Sequence, residues 1–208
     1  MTITNGYCTL SDVKHSNRLN INDSDSDSNG MLEAIIESVS RKFDDRCNRV
    51  FYMDSSEVVR YYTAIGSDYL FVDDIASPSS DVTIKTDTDG DGTMDDTWAN
   101  SDFILSPYNA EDIGVPYQKI ETSTPGQFLF PMGVRKGVQV TAKWGWPGGV
   151  PKPIVEACKL QSERIFMRAS TPIGSTSMTA LGKQYISIPG LDPDVENMIS
   201  RYIKIVFG

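Results

Sequence analysis

GVQVTAKWGWPGGVPKPIVEACKLQSERIFMRAS, residues 137–170, changes texture halfway along, and the change divides the chain. Residues 137–143 are rich in Val and Thr, the composition of a strand. Trp144-Gly145-Trp146-Pro147-Gly148-Gly149 breaks any regular period. From Pro151 the apolar residues Ile154, Val155, Cys158, Ile165, Phe166 and Ala169 recur at helical spacing, and Pro151 and Pro153 stand at the start, where a missing N–H is tolerated. The spacing predicts a helix ending near Ser170. Trp144 and Trp146 are expected to pack at this strand-to-helix junction rather than to form an aromatic shelf for sugars or bases.

Upstream, residues 55–146 alternate short runs of Val, Ile, Tyr and Thr with Gly, Pro, Asp and Ser clusters. Candidate strands are 58–63, 69–72, 82–86, 102–105, 117–121 and 137–143, enough for a small antiparallel sandwich or barrel. Before them, Thr9 with Asp12 makes a capping-box-like start for a short helix to about Leu19, and a polar connector is expected over 22–30. Leu32, Ile35, Ile36, Val39, Phe43 and Cys47 then form the stripe of an amphipathic helix, with Arg41, Lys42, Arg46 and Arg49 read as its solvated face and a partner-facing surface as the alternative.

Downstream of the quoted stretch, 171–183 is a long polar loop and 185–188 a brief strand. Asp192 caps a last helix that has Pro193 at its first position, Asp194 and Glu196 in its first turn, and Val195, Met198, Ile199, Tyr202 and Val206 as its stripe. The fold class expected is α+β: a helical core of about four helices, with an antiparallel β domain inserted between the second and third. The parts are 1–54, 55–146 and 147–208.

Composition excludes several functions. The apolar runs are far shorter than the roughly 18 residues that span a bilayer. No leader-like segment opens the chain, so synthesis in a cytoplasm is expected. Cys8, Cys47 and Cys158 are far apart with no CxxC, which argues against a disulfide framework or a zinc site; Cys47 and Cys158 read as small core residues. One histidine, His15, and the lack of nucleophile-elbow, Walker or dinucleotide motifs argue against an enzyme. The net charge of −9 is uneven: 1–53 has six bases and eight acids, 54–112 two and fourteen, 113–208 eleven and six. The acidic middle is unsuited to gripping phosphates.

Asp87, Asp89, Asp91 and Asp95 match the first half of a calcium loop, but Trp98 stands where such a loop needs its bidentate Glu. The reading is an Asp-Gly hairpin tip with no cofactor, and weak calcium binding is the alternative. A calcium-stabilised β module binding glycan or protein, with the helices as a stem, is accordingly the alternative function. Arg164 and Arg168, one turn apart, suit either an anion site or a salt-bridged helix face.

Tyr7-Cys8-Thr9-Leu10-Ser11-Asp12-Val13, Cys47-Asn48-Arg49-Val50-Phe51, the Asp-Gly hairpin, Trp144-Gly145-Trp146, Val150-Pro151, Glu156-Ala157-Cys158, the Arg164 to Arg168 helix, Thr171-Pro172-Ile173-Gly174 and Leu191-Asp192-Pro193-Asp194-Val195 follow one another in an order that resembles the head-tail connector (adaptor, head completion) proteins of tailed bacteriophages. The resemblance implies a structural virion protein, made in the host cytoplasm and located at the head-tail junction. It implies a ring, commonly of twelve copies, under the portal vertex, joined to a neck, stopper or tail protein. DNA would pass through its channel without sequence-specific binding, and no membrane is involved. Lys152-Pro153 departs from the acids common after Val-Pro in such proteins. The portal or ring contact is expected on Thr171, Pro172, Ile173, Gly174, Ser175, Thr176, Ser177 and Met178 together with Tyr202 of the final helix.

Overall fold

A computed structural model describes residues 3–16, 19, 21, 26–124, 126–169 and 190–204. The chain is α+β and divides into two compact units, one of residues 1–48 with 150–208 and one of residues 49–149. Among the described residues no helix is long and apolar enough to cross a membrane.

The first unit holds α1 (Leu10–Lys14), α2 (Ser26–Cys47), α4 (Lys152–Ala169) and α5 (Pro193–Ser200). Thr9 and Asp12 close a reciprocal capping box on α1, which satisfies two amides that a helix start otherwise leaves unpaired. This helix stops at Lys14, short of the expected Leu19, and His15 turns the chain by donating its N–H to Ser11 O. α2 begins at Ser26, so residues 26–30 are helical where a connector was expected. Ser and Asp favour a helix's first turn as much as they favour loops, and Asp27 there faces the positive end of the dipole.

All six stripe residues of α2 are buried. Against them α4 buries Ile154, Ala157 and Cys158 and then turns polar, with Gln161, Ser162 and Glu163 buried while Val155, Ile165 and Phe166 stay half-buried. Gln161 explains one of these: its Oε1 accepts the N–H of Asp192 at 3.2 Å, and Asp192 in turn caps α5 through Asp194 N–H. Val195 and Ile199 fill the buried side of α5. The loop 171–183, the strand expected over 185–188, and Val206 lie outside the described residues.

The second unit contains β1 (Val58–Tyr62), β2 (Tyr69–Ile75), β3 (Thr83–Thr86), β4 (Asp96–Thr97), β5 (Phe103–Ser106), β6 (Tyr117–Thr122) and β7 (Val138–Ala142), with a one-turn helix α3 (Ala110–Ile113) before β6. The six expected strands are present. The two-residue β4 and α3 had no periodic signal to announce them. One antiparallel sheet has the order β1-β7-β3-β4, the other β2-β6-β5. Alternation along β7 and β5 turns Val138, Val140, Ala142, Phe103 and Leu105 inward, and both sheets contribute to one core with Ile84, Ile120, Trp98, Phe130 and Trp144. A register shift in β2 between Phe71 and Ile75 still leaves Ile75 opposite Tyr117 of β6, while Ile75 also bridges to Trp144 and Ala76 N–H reaches Lys143 O.

The boundaries at 48/49 and 149/150 follow from packing. Arg49 and Phe51 lie against Trp146, at 5.3 and 5.7 Å from its ring, so the two ends of the second unit meet each other.

Candidate functional site

The acidic hairpin joins β3 to β4, whose register pairs Lys85 with Thr97 and Thr86 with Asp96. Asp87 is buried and its carboxylate accepts Gly90 N–H at 2.7 Å and Gly92 N–H at 2.9 Å; both glycines have positive φ. Burial pushes its pKa up, but these backbone hydrogen bonds outweigh that and hold it below the usual carboxylate range. Asp89 accepts Asp91 N–H, Asp91 accepts Thr93 N–H, and Asp95 accepts the N–H and hydroxyl of Thr88.

Carboxylate oxygens of Asp87, Asp89 and Asp95 lie within 4.8 Å of one another. Asp91 is outside that group. Trp98, at the place of the missing calcium ligand, is a core residue stacked on Phe128 and Phe130, and its indole N–H donates to Thr86 Oγ1 at 3.1 Å. The carboxylates are thus already used to fold the turn. Adding calcium at about 1 mM should leave the melting temperature within about 1 °C. A rise of several degrees, lost when Asp89→Asn is combined with Asp95→Asn, would make the tip a metal site.

The junction tryptophans are structural. Trp144 is buried, donates its indole N–H to Val58 O at 2.8 Å, and lies beneath the Arg60 guanidinium at 4.4 Å. Trp146 is buried against Phe51 and Arg49.

The arginines expected on a solvated face of α2 are largely engaged. Arg41 pairs with Asp44 at 3.0 Å and donates to Asn5 O. Burial pushes Asp44 up to about 6, against the lowering by its Tyr7 hydrogen bond and by Arg41. Arg46 donates to Glu196 of α5 through Nε at 2.6 Å. Arg49 forms an ion pair with Asp74 at 3.4 Å, both side chains buried. Periodicity places a residue on a face but does not say what covers that face. Lys42 is exposed.

Arg164 pairs with Asp192 and, at 3.5 Å, with Asp194, which selects the salt-bridged reading for it. Arg168 is exposed one turn further on. Of the residues expected to touch a portal or a neighbouring subunit, Thr171, Pro172, Ile173, Gly174, Ser175, Thr176, Ser177 and Met178 lie outside the described residues. Tyr202 is 7% exposed just past α5, with its N–H on Ile199 O and the Arg201 guanidinium 5.1 Å from its ring.

A cleft of about 360 Å³ in the helical unit is lined by Asp12, His15, Ser16, Glu156, Lys159, Leu160 and Glu163. His15 Nδ1 sits 3.0 Å from Ser11 O and 3.1 Å from Ser11 Oγ, so it serves the end of α1, and Lys159 pairs with Glu156 at 3.0 Å.

No family model matches this chain, and no curated protein matches it. Solved structures do. A chain in a structure described as the neck of an empty GTA particle, computed with C6 symmetry, aligns over 100% of this chain and 96% of its own with a TM-score of 0.58 at 14% identity. Chains from the neck of the native GTA particle, computed with C12 symmetry, and from the virion of the native gene transfer agent (GTA) particle align over 96% and 100% of this chain, each with a TM-score of 0.49, at 15% and 14% identity. The first of these shows the fold: over its full length the chain is similar in fold to a chain from a particle neck.

Proposed function

We propose that this protein is a head-tail adaptor, a structural protein of a virion or phage-like particle that sits at the neck and joins the portal to the next neck or tail protein. The observation that carries this reading is the fold match to a neck chain over the full length, which stands beside the connector resemblance of the sequence. The symmetric neck of that structure supports a cyclic assembly, for which the resemblance implies twelve copies. Heterologous contacts, each subunit's one face on its neighbour's other, would close such a ring.

The action is mechanical and electrostatic. A helical unit of α1, α2, α4 and α5 forms the body, and the unit of residues 49–149 is an insertion between α2 and α4. Acidic residues of the 54–112 segment, set near passing DNA, would repel phosphates and keep it sliding. Residues 171–183, polar and too long for a connection between two helices, together with the final helix form the portal contact, where weak contacts repeated around a ring suffice.

Removing residues 175–180 tests this. The shortened protein should melt as the parent does yet fail to stay bound to portal-bearing, DNA-filled heads, with attachment reduced at least about 100-fold by loss of multivalency. Undiminished docking would move the contact away from this loop. Heads that join tails equally well in the absence of the whole protein would overturn the adaptor reading.

A further inference from the structure

Cys8 and Cys158 are 150 positions apart in sequence, yet their Sγ atoms lie 3.3 Å from each other, closer than two sulfurs in ordinary packing contact. Both are buried free thiols, at 5% and 0% exposure. Cys8 sits on the segment that leads into α1, directly after Tyr7, whose N–H donates to Ser40 Oγ at 3.0 Å. Cys158 is on the buried side of α4, with Ser40 Oγ 3.7 Å from its sulfur. The third thiol, Cys47, is engaged elsewhere, on Ile199 O at 3.9 Å.

We propose that Cys8 and Cys158 are an oxidisable pair that closes into a disulfide, stapling the segment before α1 to α4 when the protein meets a disulfide-bearing oxidant. Only a shift of about 1.3 Å separates the observed contact from a bonded S–S distance. In the reduced, closed state Cys8 is the thiol donor and Cys158 the sulfur acceptor. The hydrogen bond donated by the Cys8 thiol holds the pKa of Cys158 down against its burial, with Ser40 and Ser162 adding to it, while Cys8, the donor, is pushed up by that same bond and by burial.

The step balances with a small-molecule disulfide RSSR. When the N-terminal segment opens, Cys8 leaves the hydrogen bond and the burial that keep it protonated, and its thiolate attacks RSSR, forms a mixed disulfide and releases RS⁻. On reclosure the Cys158 thiolate attacks Cys8 Sγ, the protein S–S bond forms and the second RS⁻ leaves. Two protein thiols are oxidised, RSSR takes the two electrons, and the two protons end on two RSH. The staple would close a loop containing α2 and the whole 49–149 unit, so it restricts the unfolded chain strongly. It stands independently of the adaptor reading.

The test uses the full chain, refolded and then held in a glutathione redox buffer so that slow access to buried thiols does not decide the result. The expected product is monomer lighter by about 2 Da, with residues 8 and 158 in one cross-linked peptide and only Cys47 available to alkylation after denaturation. Its melting temperature should rise by about 5–10 °C, reversed by a dithiol reductant. Cys8→Ser should abolish both the cross-link and the rise, and Cys47→Ser should keep them. Three alkylatable thiols under oxidising buffer, a cross-link involving Cys47, or an 8–158 bond that does not raise the melting temperature would each overturn the proposal.

Discussion

Gly145→Ala is expected to cost the 49–149 unit about 4 kcal/mol or more, enough to leave it largely unfolded at room temperature in moderate denaturant. Gly145 has φ +113°, where an L side chain is strained, and a Cβ placed there would lie 1.8 Å from Tyr52 O and 2.8 Å from the carbonyl carbon of Tyr52. The neighbouring atom is backbone and has nowhere to go. Asp54 N–H donates to Trp144 O at 2.9 Å, which ties the two segments beside the contact, and Gly145 N–H donates to Asp74 O of β2 at 2.8 Å, which holds Gly145 in place from another side. Gly148→Ala is the control: φ is +72° but the position is open, and it should cost only about 1 kcal/mol. Urea denaturation of both variants followed by tryptophan fluorescence decides. Equal midpoints for the two would show that the close approach at Gly145 does not hold the unit's ends together.

The second large effect is expected at the buried ion pair. Arg49→Met leaves Asp74 buried without its cation and removes the guanidinium from the Trp146 face, a loss of about 3–5 kcal/mol. Most of that cost comes from the buried carboxylate that loses its cation, since a buried pair gains little over well-packed neutral groups while removing one member of it is expensive. Combining Arg49→Met with Asp74→Asn should therefore recover at least about 1 kcal/mol relative to Arg49→Met alone. Thermal melts of the two single variants and the double variant measure the coupling. Additive losses would mean that the pair is not coupled and that the Trp146 stacking carries the effect.

Much of the fold is legible in the sequence because it rests on contacts between residues close in the chain. Six strands were readable to within a few residues from Val, Ile, Tyr and Thr runs and the breaks between them. The start of α5 was readable because Asp192, Pro193 and Asp194 satisfy a helix N-terminus within three positions, and the buried side of α2 because an apolar stripe at three- and four-residue spacing has only one geometry. The hairpin at Asp87 was readable for the same reason: its carboxylates bond to amides two to five residues on. The start of α2 was misread because Ser, Asp, Asn and Gly suit a loop and a helix's first turn alike, and only the burial of Leu32 and its fellows decides between them.

Local patterns along the chain were enough for the α+β class, the order of the longer helices and strands, and the hairpin that a calcium motif only half matches. The tertiary structure alone decided that Arg49 pairs with Asp74 instead of facing solvent, that Trp98 fills the β core, that Gly145 must pass under Tyr52, and that Cys8 meets Cys158. Each of these joins residues far apart along the chain, and no local pattern encodes such a partner. Strand register and helix packing choose it, because a buried charge, ring or thiol settles wherever the assembled core leaves a matching neighbour.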